Sequence, residues 1–259
     1  KPHSARSRYC AVNVPLFCPN IDDVRDIIIK SKVKCVITSA GNPAIWTPIL
    51  QKEGIKVLHV IANTKFALKA ESAGVDAIIA EGFEAGGHNG KEETTTLCLI
   101  PEIASKVQIP VIAAGGIASG KSMAAVMALG AEGVQIGSRF AACEESSAHD
   151  SFKQAIRNAQ EGDTKLMLKD IVPVRLLRNK FFNDLEEAYN ACKTKEEKLE
   201  LLGRARAKQG MFNGDMDEGE LEIGQVSSMI SKPETVQDIV TEIILDYNTT
   251  VTQAAKHLL

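Results

Sequence analysis

The chain has 259 residues, of which 44% are apolar and 24% charged, and its formal net charge is −3. This composition excludes a disordered chain and gives no basic surplus of the kind that binds nucleic acid or an anionic membrane. No apolar run approaches the roughly 18 residues that span a bilayer, and no signal peptide is visible at the N-terminus. The six cysteines (Cys10, Cys18, Cys35, Cys98, Cys143 and Cys192) lack CxxC spacing. Most sit in apolar runs, which predicts buried thiols in a reducing cytoplasm rather than disulfides or zinc ligands.

Residues 1–8 (KPHSARSR) are basic and polar and read as a flexible lead-in. Residues 10–14 are the first predicted strand, stopped by Pro15 and Pro19. Ile21, Val24, Ile27 and Ile28 recur at helical spacing, predicting a helix over 21–30 with the Asn20 side chain as its N-cap. The pattern then repeats. Predicted strands at 35–39, 56–61, 75–80, 110–114 and 133–136 alternate with helices at 43–52, 64–73, 101–106 and 120–129. Strict alternation requires parallel strands, because each helix carries the chain back across the sheet. Six such units suit a doubly wound sheet or part of a (β/α)8 TIM-type barrel. Small residues at three strand ends favour the barrel, with the last two strands in the seventh and eighth places, where barrels hold phosphate. The first two βα units would then be absent. Beyond Phe140 the segments 147–161, 179–192, 195–208, 222–230 and 236–245 read as helices, with a loop at 210–219. The expected division is a barrel over 1–145 and a C-terminal helical layer or lid over 146–259.

The stretch with the most chemistry is 80–90 (AEGFEAGGHNG), where a buried strand runs into a loop carrying Glu81, Glu84, Gly86, Gly87 and His88. The glycines allow close backbone approach to a flat ligand. His88 titrates near neutrality, so it is a candidate acid–base group or, equally, a turn histidine bonded to the backbone. Ala114, Gly115, Gly116, Gly137 and Ser138 follow two successive strands and offer backbone N–H groups and a hydroxyl to a phosphate. Neither GxGxxG nor GxxxxGK[ST] occurs. Arg139 reads as a phosphate partner or a surface salt bridge. Asn13, a polar amide in an apolar run, caps a loop or reads a ligand edge. Residues 144–147 (EESS) with His149 read as a capping cluster for the next helix rather than a metal site, and no metal is expected. The basic stretch Arg204, Arg206, Lys208 reads as a solvated helix face or a contact for an acidic carrier protein.

At these residues the sequence resembles the nitronate monooxygenase family (the former 2-nitropropane dioxygenases), which includes the FMN-dependent enoyl-ACP reductase II. The matching stretches are 12–15 (VNVP), 38–43 (TSAGNP), 80–90, 109–118 (IPVIAAGGIA) and 131–140 (AEGVQIGSRF). Beyond the barrel they are 145–149 (ESSAH), 175–179, 214–219 and 224–230 (GQVSSMI). The resemblance implies an FMN-binding TIM barrel. In it Asn13 and Glu81 lie near the flavin ring or ribityl chain, and Gly86 and Gly87 pass close to the flavin. His88 is catalytic, and Gly115, Gly116, Gly137 and Ser138 hold the FMN phosphate. The activity it implies is NAD(P)H-dependent reduction of an enoyl thioester, free or carried on acyl carrier protein, in a cytoplasmic protein that could be a homodimer. The alternatives are oxidation of alkyl nitronates with O₂, and a truncated, non-catalytic flavin-fold protein, since the family begins with two βα units not found in this sequence.

Overall fold

The computed structural model describes residues 10–256; the lead-in at 1–8 lies outside them. Six parallel strands form one sheet in the order β1-β2-β3-β4-β6-β7. They are β1 (Ala11–Pro15), β2 (Cys35–Ser39), β3 (Lys56–Ile61), β4 (Ala77–Glu81), β6 (Val111–Ala114) and β7 (Gly133–Gln135). The crossover helices are α1 (Ile21–Lys30), α2 (Thr47–Lys52), α3 (Thr64–Ser72), α4 (Thr96–Ala104) and α5 (Gly120–Ala128). Between β4 and α4 the chain adds a two-residue strand, β5 (Gly87–His88). The sheet is a curled part of a (β/α)8-type barrel, the alternative that the small residues at the strand ends favour.

Register decides which residues face the helices and which face the barrel interior. Val14, Thr38, His59, Ile78 and Val111 are successive partners across the sheet, so they share one face. All five are buried. With Leu50, Ala67, Leu99, Ile100 and Ile103 from the helices, the apolar residues of this face make the main core. The other face carries Asn13, Val60, Ile79 and, at the strand ends, the row Glu81–Ala114–Gln135.

Several local expectations are corrected. Asn20 does precede α1, but it adopts a left-handed conformation (φ 59°) and its side chain makes no capping bond. The Asn63 side chain does cap a helix, accepting from the Phe66 N–H at 2.9 Å at the start of α3. Helix α4 starts at Thr96 rather than near 101, with Pro101 inside it. Its first turn is capped by a distant carboxylate, Glu84, which accepts from the Thr96 N–H at 2.9 Å and from its hydroxyl at 3.0 Å. Of the six cysteines only Cys143 is buried, while Cys10, Cys98 and Cys192 are exposed.

The C-terminal half departs furthest from the helical expectation. After α6 (Ser138–Ala141) and α7 (Asp150–Asn158) come two strands, β8 (Thr164–Met167) and β9 (Val174–Leu177). With β5 they form a second, antiparallel sheet in the order β5-β9-β8. Helices α8 (Lys180–Asn190), α9 (Lys195–Leu202), α10 (Arg206–Met211) and α11 (Val236–Ala255) complete the layer. The single helix expected over 195–208 is broken between α9 and α10, where Gly203 and Ala205 take positive φ. Residues 222–230 are extended and then form a 3-10 turn, Gln225–Met229. Helix α11 packs closely on α5: a Cβ at Gly120 would fall on the α11 backbone near Tyr247. Among the described residues no helix is long and apolar enough to cross a membrane.

Candidate functional site

The Glu81–Ala114–Gln135 row stands where three strands end, and two cavities meet along it. The first, about 230 Å³, lies over the loops after β6 and β7 and is lined by Gly86, Gly115, Gly116, Gly137 and Ser138. Gly115 and Gly116 are both left-handed (φ 86° and 72°), a conformation that turns successive N–H groups toward one point and favours an anion. A Cβ on Gly115 would stand 2.8 Å from the Gly82 carbonyl oxygen, and one on Gly137 would meet nothing within 4 Å. The Ser138 hydroxyl accepts the Gly224 N–H at 3.0 Å, which ties the segment before the 3-10 turn to this rim.

The second cavity, about 550 Å³, is lined by Asn13, Gly86, Gly87 and His88, among others. Glu81, Gly86, Gln135 and Glu222 line both cavities. All nine candidate residues read from the sequence therefore line one or both of two adjoining spaces. Its size lies in the range of small-molecule sites, roughly 300–1,000 Å³.

The loop that carries His88 is held by the C-terminal layer. Gly87 pairs with Arg175 and His88 with Val174 of β9. The Arg175 side chain is buried, stacks on the Phe83 ring at 4.4 Å and donates to the Phe83 carbonyl at 2.8 Å. Asn89 donates its N–H to the Pro173 carbonyl and its amide to the Ala85 carbonyl at 2.9 Å. Gly86 is small for a reason unrelated to any ligand: a Cβ there would collide with the backbone of Ile223 and Gly224. His88 itself stays exposed to the cavity.

Burial sets the charge of the site. It pushes the Glu81 carboxyl up to about 7, so near neutrality this strand-end acid is a donor as much as an acceptor. Burial also raises Glu222, an effect that nearby His88 partly offsets. His59 faces α3, where its imidazole lies 2.7 Å from the Thr38 hydroxyl and burial holds it down at about 4.

Other sequence candidates go elsewhere. Arg139 is neither a phosphate partner nor a surface ion. It is buried, grips Glu234 through two nitrogens at 2.7 and 3.0 Å, and donates to the Ala118 carbonyl. Glu145 caps α11 rather than the next helix, accepting from the Val236 N–H at 2.9 Å, while His149 caps α7. Arg206 turns inward, over the Phe181 ring and onto the Leu201 and Leu202 carbonyls, while Arg204 and Lys208 are exposed as a solvated face requires. Sequence reasoning missed Gln135 and Glu222. The signal for Gln135 was a polar amide inside an apolar strand, the same signal that singled out Asn13; Glu222 had none, because its segment reads as helix.

A family model described as nitronate monooxygenase matches residues 11–246. The chain is 36% identical over 179 residues to a probable nitronate monooxygenase of Staphylococcus saprophyticus, covering 64% of this chain and 50% of that protein. Against the probable nitronate monooxygenase of Bacillus subtilis it is 41% identical over 149 residues, covering 54% and 43%. The chain thus spans about half the length of the curated relatives it matches. Among solved structures it superposes on FabK from Thermotoga maritima with a TM-score of 0.90 at 37% identity, over 96% of this chain and 78% of that one. It shares its fold with nitroalkane oxidase from Streptomyces ansochromogenes, with a TM-score of 0.80 at 24% identity over 94% and 82%.

Proposed function

This chain belongs to the nitronate monooxygenase family, and from that premise we propose that it is an FMN-dependent oxidoreductase that reduces an enoyl thioester at the expense of NAD(P)H. The observation that carries the reading is the shared wall of the two cavities. Glu81 and Gln135, register-linked through Ala114, join a glycine-lined anion cradle to the space beside His88. One elongated ligand with a phosphate at one end and a flat ring at the other fits that pair. The donor set suits the group: left-handed Gly115 and Gly116 present N–H groups, Gly137 leaves space where a side chain would intrude, and Ser138 adds a hydroxyl. Glu84, the carboxylate nearest Gly116, is already committed to Thr96.

In this reading FMN, when bound, supplies the hydride that NAD(P)H restores. The chain's own residues do the rest. Gly86 and Gly87 would let the loop backbone approach the flavin, and Asn13 and Glu81, which line the larger cavity, would offer it hydrogen bonds. His88 would hold the proton destined for the substrate α-carbon, and the neutral imidazole left behind would be reprotonated from solvent.

Two carboxyls, Glu81 and Glu222, line the space beside His88. The stretches beyond the barrel that resemble enoyl-ACP reductase II, 145–149, 175–179, 214–219 and 224–230, support the first reading. The inward-turned Arg206 no longer argues for a carrier-protein contact. The second reading, oxidation of a nitronate with O₂, is supported by the names of the curated relatives. The purified protein, yellow with bound flavin, should consume NAD(P)H with a crotonyl thioester. Oxygen uptake with an alkyl nitronate and no thioester-dependent NAD(P)H loss would move the assignment to the second reading. A colourless protein inert in both assays would leave a flavin-fold protein without catalysis.

A further inference from the structure

Glu222 belongs to no motif, yet the fold puts it in one line with His88. Along one edge of β9, Val174 pairs with His88, Arg175 with Gly87 and Leu176 with Glu222. Glu222 therefore continues the line of β5 although 133 residues of sequence separate it from the end of β5 (from 89 through 221). Its carboxylate packs over Gly87: a Cβ on that glycine would stand 2.7 Å from Glu222 Oε2. Both Glu222 and His88 line the larger cavity, and no hydrogen bond among the described residues engages the Glu222 carboxylate.

We propose that Glu222 is the positioning residue for His88, a carboxylate that holds the imidazole protonated and aimed into the cavity. The proposal rests on the reading of His88 as proton donor. Two segments far apart in sequence are clamped to one strand, which holds the pair in a register that neither loop could keep alone. A carboxylate beside an imidazole favours the imidazolium and orients it. Burial raises the Glu222 carboxyl and the charge on His88 draws it back.

Other charged groups also face this pair, and Glu220 and Arg206 line a smaller cavity with His88. Glu220, two residues earlier in the same segment, is pushed up to about 7 by burial and by Glu222, with Arg206 opposing. Glu81 on β4 is near 7 as well. Glu84 is bonded to Thr96, and Arg175 on β9 to the Phe83 carbonyl. Lys69 and His59 line the same cavity from α3 and β3, and His59 is held neutral near pH 7.

The test is the NMR titration of the His88 imidazole, assigned by its disappearance in His88→Gln, in the native protein, in Glu222→Gln and in Glu222→Asp. It needs neither flavin nor turnover. The midpoint should fall by about one pH unit in Glu222→Gln, the usual scale for losing one adjacent charge, and by less in Glu222→Asp, which keeps the charge and serves if the glutamine variant does not fold. In parallel, the pH at which thioester-dependent turnover reaches half its maximum should move down with the midpoint. A midpoint unchanged in the variants overturns the proposal. A shifted midpoint without turnover on any enoyl thioester upholds the pairing and overturns the reaction assigned to the site.

Discussion

The six-stranded parallel sheet and the three-stranded antiparallel one meet at residues 86–88, and they hold the site in different ways. The parallel sheet contributes side chains whose positions follow from register. Glu81, Ala114 and Gln135 stand level because each ends a strand paired to the next. The small sheet contributes position to a loop that has little of its own: Gly87 and His88 are a strand only because β9 lies beside them. The first region supplies the floor of both cavities, and the second fixes where His88 stands above it. Loop residues on a rigid scaffold are a common place for chemistry; here the loop is braced from a part of the chain that follows the barrel.

Each region can be broken separately. The largest effect should come from Gly116→Asp, which is expected to abolish FMN binding. The new Cβ would stand 3.4 Å from the Glu84 side chain at a residue with φ 72°, straining the turn, and the carboxylate it carries would repel phosphate from the cradle. Equilibrium dialysis with FMN checks this, and unchanged flavin content would put the phosphate elsewhere. Gly86→Val attacks the junction instead. Its side chain would fall on the backbone of Ile223 and Gly224, so stability should drop by about 3 kcal/mol. Amide exchange should rise first in β5 and in residues 222–224. Uniform exchange with an unchanged melting temperature would show that the two regions are not braced here.

A smaller effect belongs to the parallel sheet alone. Glu81 moves from 4.5, its ordinary value, to about 7 on folding. Below pH 4.5 both states are protonated and its burial is free of charge. Between pH 4.5 and 7 the unfolded chain releases a proton that the folded one keeps, so stability falls, by up to about 3 kcal/mol. Above pH 7 the loss is complete and the profile is flat. In flavin-free protein Glu81→Gln should reduce this slope in urea melts taken across that window, leaving the part that Glu220 and Glu222, also raised by burial, contribute. A slope unchanged in the variant would assign all of it to those two groups.

The two regions also differ in how far they can be read from sequence. Strands buried on both faces are apolar runs, and all six were placed within two residues, because Val36, Val57, Ile78 and Ile79 leave few other solutions. Their loops were legible for the same reason, as the first polar or small residues after each run. The antiparallel strands were not. β5 has two residues and β8 and β9 four each, and β9 carries an arginine that is buried to 1% exposure. Hydropathy reads such a residue as exposed; its burial depends on the Phe83 carbonyl and ring, 92 residues away in sequence. Glu222 was hidden in the same way, since its place beside Gly87 follows from pairing with Leu176 and not from any local pattern.

The central claim is that the braced loop delivers His88 to a flavin-bearing cavity as its proton donor. The most direct measurement is thioester-dependent NAD(P)H oxidation by His88→Ala, normalised to bound FMN. The account predicts near-normal flavin content, because the glycine cradle is untouched, and turnover per flavin lower by about 10²-fold or more, the scale of a positioned acid–base group. Turnover per flavin equal to that of the native protein would contradict it, leaving His88 a turn residue at the edge of the cavity.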